Sequence, residues 1–497
     1  MRKFIFIIAL IIVCVGFESC YKEEVIFNAE ANRELELPTI LKINGKECAY
    51  DYAENSLRYP LENLIVNDFE PLIEFQKYST IYFEGKWLKN KSLNNLGKVE
   101  INKEYEVIIE TDNTINKLKL KFTNLPIVQI VTPNKIYDEP KTVAKLIVNY
   151  KELNRLAEAH FIGLEYRGGS SQAHSKKSFG LSLKSSLDLN DDLSSSLFNM
   201  KKNNDWILDA MWIDKGRLRN KTSFELWKKM DTNKHKGISG EFVELYINNE
   251  HQGVFCLNEN VNSELLNLNN NNAVLYKATS WENGETRFES YSNNPPVNYY
   301  WDGWEQKHPD PKIEINWQPL NELRNLVVNG SDAAFTSDIA SLIDINNFVD
   351  YYIFLNLVSA SDNTGKNTFL VKESDQSKMA IIPWDIDGSW GVFWNGDRIG
   401  FTSVLSNNLF DRLLETNSAN FKTKLKQRWS FLRGNTFSNT ALKNMFIDNF
   451  TRINNSKVIE IENRKWNSNI DINVEQAYLI NWIENRLVFL DNYFNNL

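Results

Sequence analysis

Cysteine is nearly absent from these 497 residues: there are four. Two of them, Cys14 and Cys20, lie in the first twenty positions, which leaves Cys48 and Cys256 far apart in the chain. A disulfide-stapled framework therefore finds no support, and both remaining thiols are expected to be buried. Histidine is as scarce. The five, His160, His174, His235, His251 and His308, include no close pair and no H-E-x-x-H arrangement, so a zinc hydrolase finds no support. Positive charge is short too, with 56 Lys and Arg against 64 Asp and Glu and a net charge of −8. That balance disfavours a nucleic-acid partner, which requires a concentrated basic face. Long apolar runs are missing except at the start, where MRKFIFIIALIIVCVGFESC holds about fourteen mostly apolar positions, short of the roughly 20 a spanning helix needs.

That opening reads as a secretory signal over residues 1–20. Its end at Cys20 resembles the lipobox of bacterial lipoproteins, implying a lipid on Cys20 as the link to a membrane. Lys22, Glu23 and Glu24 resemble the acidic tag that sends some Gram-negative lipoproteins to the outer surface, so an outer-membrane lipoprotein of the cell envelope is expected. Residues 21–36 read as a polar tether.

With 42% hydrophobic and 12% aromatic residues the chain can bury a large core, and its length suggests two or three domains. Residues 37–124 carry short alternating segments, TILKI, TIYFEGKWL, EYEVIIET and KLKLKF, separated by Asn, Gly, Asp and Lys turns, the signature of an all-β sandwich module. Residues 125–497 form a second unit of α+β class. Strand-like runs LIVNY, FIGLEY and SFGLSL precede the helical stretch RLRNKTSFELWKKM, and FVELYIN and GVFCLNEN flank a hairpin turn. Residues 278–312 read as a long ordered loop. Helical periodicity then dominates, at 346–360, 408–431, 437–454 and 472–495.

The chemistry concentrates after the apolar helix FVDYYIFLNLVSA. Asp362 and Asn367 are separated by four residues, the spacing with which a protein-kinase catalytic loop sets an aspartate at the acceptor hydroxyl and an asparagine on a metal ion. An apolar hairpin, TFLVKE and KMAIIPW, then leads to WDIDG. Asp385 and Asp387 are two apart, so in an extended segment both face one side and can share a divalent cation, while Gly388 and Gly391 give the backbone room to turn. The ordinary reading of an Asp-x4-Asn alone is a turn after a helix; the WDIDG hairpin beside it favours metal-dependent phosphoryl transfer. Upstream, EYRGGSSQAHSKKSFGL sets glycines and serines between strands, where backbone N–H groups can approach phosphates. Arg167 and Lys177 are the candidate cations, with Lys177 chosen over Lys176 as the cleft-facing lysine, and Glu225 is the candidate partner that orients it.

These stretches, YRGGSSQAHSKKSF, DWILDAMWIDKGRLRN, FVELYINNEHQGVFCLNEN, LYKA, WEQKHPD and SASDNTGKNTFLV through MAIIPWDIDGSWG, resemble the CotH kinase family of spore-coat-protein-H-like atypical kinases. The resemblance spans about residues 125–495 in order. It implies a divergent protein-kinase-like fold with a β-rich N-lobe and a helical C-lobe. It also implies binding of ATP with Mg²⁺ or Mn²⁺, and phosphate transfer to Ser or Thr of a protein substrate. Asp362 takes the catalytic-loop role, Asp385 the metal-binding role, and Asn367 assists. Gly180 stands where family members often carry a basic residue, and the loop reads RGGSS where RGNSS is more usual. A monomer is expected. The competing reading is a non-catalytic surface lipoprotein, an adhesin or scaffold on a degenerate kinase-like fold. A glycoside hydrolase explains neither the Asp-x4-Asn spacing nor the paired acids of WDID.

Overall fold

The computed structural model describes residues 40–231, 235–270 and 272–497. The signal, Cys20 and the tether therefore lie outside the described residues. What is described is a mixed α+β chain. Between Lys42 and Thr123 the strands are short and gather into six-, four- and two-stranded sheets. Alternation decides their faces: in Glu104–Glu110, Tyr105, Val107 and Ile109 are buried while Glu104 and Glu106 are exposed. Leu57, Tyr59, Phe83, Tyr105 and Phe122 close one core over these sheets, and Cys48 joins it as a free thiol.

Next comes a closed barrel of seven strands, ordered Ile127–Val131, Thr142–Asn149, Glu158–Arg167, Ser178–Lys184, Asp205–Asp209, Glu250–Glu259 and Gly240–Ile247. Neighbours run antiparallel except at the closure, where Ile127–Val131 pairs parallel with Gly240–Ile247. The inward residues Val128, Leu146, Leu164, Leu181, Trp206, Leu245 and Phe255 fill the lumen, so it is a packed core and not a channel. Asn248 and Asn249, both with positive φ, make the hairpin turn that the sequence announces.

The helical half wraps a second sheet, ordered Tyr300–Trp301, Trp304–His308, Val274–Ala278, Thr368–Lys372 and Ala380–Pro383. Two expectations change here. Residues 278–312 are not all loop: WEQKH is a strand, with Trp304 and Gln306 buried and Lys307 exposed, a period-two pattern hidden by the polarity of the segment. The stretch 408–431 is two helices, Asn408–Glu415 and Phe421–Arg433, because Asn417, Ala419 and Asn420 take left-handed backbone between them. At the centre lies Ile345–Val358, capped at its start by the Asp344 side chain and buried everywhere except Asn346. Ser359, at φ 57°, ends it in a left-handed cap and turns the chain toward the cleft.

Candidate functional site

A cleft of about 600 Å³ opens between the barrel and the helical half. Asp362, Asn367, Asp385 and Asp387 line one side, and Arg167, Gly168, Gly169 and Ser171 line another.

Local hydrogen bonds explain how two separate loops meet there. Asp362 sits in the single turn Ser361–Thr364. The next residue, Asn363, donates its side-chain amide to the carbonyls of Asn367 and Trp384, both at 2.8 Å, and its own carbonyl accepts from the Tyr351 hydroxyl at 2.8 Å. Trp384 N–H reaches the Asn367 carbonyl at 2.9 Å. One buried amide thus ties the end of the hairpin to its beginning, and places Asp385 beside the Asp362 turn. Asn367 and Asp385 have φ of 56° and 53°, a left-handed conformation that Asn and Asp tolerate better than most side chains. Asp385 and Asp387 therefore reach the cleft through a turn, and not by the alternation of an extended segment. Gly388 follows, and a Cβ there would lie 2.9 Å from the Trp394 backbone nitrogen, so the turn is kept tight by the absence of a side chain.

A fourth carboxylate, which the sequence reading missed, completes the group. Asp209 ends a barrel strand and lines the same cleft. Its Oδ2 accepts from Asn220 Nδ2 at 2.9 Å, and Asn220 Oδ1 accepts from Ile386 N–H at 3.0 Å, so Asn220 bridges the barrel acid to the WDID turn. The only sequence signal was position: an aspartate at the end of an apolar strand, just before AMWID.

These acids crowd one another. Asp385 is open to water in the cleft but lies deep between its walls. That confinement and the neighbouring Asp209 push its carboxyl up to about 6, with Asp362 adding to the rise and Lys277 and Arg167 opposing it. Burial and then Asp385 raise Asp387 further, although its Oδ1 accepts the Gly388 N–H at 2.8 Å. Asp362 Oδ2 pairs with Lys366 Nζ at 2.8 Å, while its Oδ1 is buried without a hydrogen-bond partner. Burial lowers Arg167, whose guanidinium lies 5.6 Å from the Trp384 ring centre and is drawn back by Asp385. Lys277, lowered to about 8 by burial and by Arg167, was also missed. An excess of hard oxygen ligands, one of them orphaned, fits a divalent cation such as Mg²⁺ or Mn²⁺.

Two expected residues fall elsewhere. The Lys177 ammonium donates to the Gln172 carbonyl and closes the glycine-rich loop on itself. Strand alternation could not choose between Lys176 and Lys177, because the strand starts only at Ser178. Glu225 pairs with Lys221 one turn away on its own helix and accepts from Asn449 at 3.2 Å, so it orients neither lysine. A second acid and histidine group, Asp231, His235 and Asp350, is an ion-pair cluster. Asp350 receives a two-pronged bond from Arg428 at 2.6 and 2.9 Å, and the His235 ring nitrogens face Asp350 and the Trp227 carbonyl, each at 3.0 Å.

The chain is similar to the inner spore coat protein H of Bacillus subtilis (strain 168), 22% identical over 287 residues that cover 56% of this chain and 72% of that protein. The model of the CotH kinase protein family matches residues 164–490, a span that contains both loops of acids, Asp209 and the glycine-rich strand connection. With that match running through every wall of the cleft, the chain belongs to the CotH kinase protein family.

Proposed function

We propose that this chain is an atypical protein kinase that uses ATP with Mg²⁺ or Mn²⁺ and transfers the terminal phosphate to Ser or Thr of a secreted or surface protein. The barrel half and the helical half are its two lobes, and the strands before residue 124 are a β-sandwich module. A signal and a lipid on Cys20 would hold it at the outer membrane. The observation that carries the reading is the meeting of Asp362, Asn367 and Asp385 in one cleft opposite Arg167. Asp385, Asp387 and Asn367 would hold the cation, which when bound neutralises phosphate charge. Asp362 would accept the proton of the incoming hydroxyl. Arg167 would contact phosphate oxygens, and the apolar wall of Ile207, Phe224 and Ile238 would exclude water.

The test is incubation of the chain, begun after Cys20, with labelled ATP and Mn²⁺ or Mg²⁺, followed by mapping of phosphorylated residues. Asp385→Ala should abolish nucleotide–metal binding, whereas Asp362→Ala should keep binding and lose turnover by a factor on the order of 10². Wild-type autophosphorylation in the Asp385 variant overturns the assignment. One observation favours the second reading, a non-catalytic surface lipoprotein: Lys366 already occupies Asp362. That reading expects no rise in melting temperature with ATP and metal.

A further inference from the structure

Beneath the glycine-rich loop lies a buried ionic cluster assembled from three distant parts of the chain. The Lys176 ammonium, fully buried, donates to Glu462 Oε1 at 2.5 Å, to the Ala210 carbonyl at 3.0 Å and to the Val254 carbonyl. Glu462, on the helix Val458–Trp466, is equally buried; its Oε1 also accepts the Val254 N–H at 3.0 Å, and its Oε2 takes Arg217 Nε at 2.8 Å. Arg217 Nη1 in turn donates to the carbonyls of Met211, Trp212 and Asp214 at 2.6, 2.7 and 2.8 Å. Gly253, at φ 95°, makes room: a Cβ there would lie 2.5 Å from Glu462 Cγ.

Burying two cations on one carboxylate is costly, and apolar residues of similar volume would stabilise a core at least as well. The carbonyls that are gripped give the cluster a direction that apolar packing lacks. Lys176 lies near the end of the loop whose Gly168, Gly169 and Ser171 line the cleft, and the Ala210–Asp214 carbonyls belong to the segment that follows the cleft acid Asp209. The bonds from Gln172 to Gly168 at 2.8 Å and from Lys177 to Gln172 are internal to the loop. Helix Val458–Trp466 is braced from behind, since Arg464 pairs with Glu54 and the preceding Ser456 carbonyl accepts from Arg58 at 3.1 Å.

We propose that Lys176, Arg217 and Glu462 are positioning residues for nucleotide binding, holding the glycine-rich loop and the Asp209 segment in register as facing walls of the cleft. The inference rests on the kinase reading above and deepens it. It is tested by calorimetric titration of the chain begun after Cys20, with Mn²⁺ alone and with ATP at saturating Mn²⁺, in the wild type, Lys176→Met and Glu462→Asp. Because Asp385 and Asp387 lie on another loop, and Asn220 ties the Asp209 carboxylate to that loop independently of Lys176, affinity for Mn²⁺ alone should stay within about threefold, while affinity for ATP falls about tenfold or more in Lys176→Met. Glu462→Asp keeps the charge and withdraws it by one carbon, so it should fold and show a smaller loss of ATP affinity; it decides the matter if Lys176→Met does not fold. Unchanged ATP affinity in a folded variant overturns the inference while leaving the kinase reading intact. A wild type that binds no ATP sinks both.

Discussion

Glu244, in the wall of the barrel, carries a carboxylate 3.0 Å from the Arg58 guanidinium of the N-terminal strands, with side chains 0% and 6% exposed. His251 lies 3.1 Å from the same carboxylate, and the Thr123 hydroxyl bonds it as well. The N-terminal strands are therefore joined to the barrel through a buried charge. Removing Arg58 leaves that buried charge with only His251 and the Thr123 hydroxyl beside it. Arg58→Ala should cost about 3–5 kcal/mol, read by urea unfolding, with both units losing stability in one transition.

The same carboxylate sets an acid limit. Burial alone would raise it, but Arg58 and His251 pull Glu244 below its ordinary value. A lowered folded value means that its contribution is complete above the unfolded value and is lost as pH falls through the folded one. Wild-type stability should thus drop below about pH 4, and the drop should be smaller in a Glu244→Gln variant.

Asp385 has the opposite sign. Its carboxyl stands at about 6, above its ordinary 3.8, so without metal its contribution is complete below pH ~4 and is lost as pH rises through 6. A cation reverses this, because the ligand must be ionised. Mn²⁺ affinity should climb between pH 5 and 7 with release of a proton, measurable by titration in buffers of different ionisation enthalpy.

Asp209→Asn separates stability from function. It removes the strongest like-charge repulsion on Asp385 and a weaker one on Asp387 and keeps a side chain able to meet Asn220. The metal-free melting temperature at pH 7 should rise, and Mn²⁺ should bind about tenfold more weakly, the usual opposition at a strained site.

Asn363→Leu removes the amide that joins the Asn367 and Trp384 carbonyls. The Trp384 carbonyl loses this donor, at about 1–3 kcal/mol, while the Asn367 carbonyl keeps the Trp384 N–H. The melting temperature should fall, and turnover should fall further than metal affinity, since Asp362 and Asp385 lose their common brace.

Much of the local structure was legible. The TFLVKE and KMAIIPW strands pair as read, with Phe369 opposite Ile382, and the apolar run before Asp362 is the helix Ile345–Val358. Asp362, Asn367, Asp385 and Asp387 do line one cleft. What failed has a common cause. Lys177 was chosen over Lys176 by extrapolating a strand's alternation one residue past its start, and Glu225 was chosen for standing on the first helix, although its partners lie on its own helix and at Asn449.

Hydrophobic period and turn chemistry are local, and by themselves they determined the hairpins, the central helix and the spacing of the acids, because a side chain's face follows from its neighbours within a few positions. Only the tertiary structure decided barrel closure, the arrival of Asp209 in the cleft and the meeting of Lys176 with Glu462. Those depend on what each buried face packs against, and a buried face gives the same pattern along the chain whichever distant partner covers it.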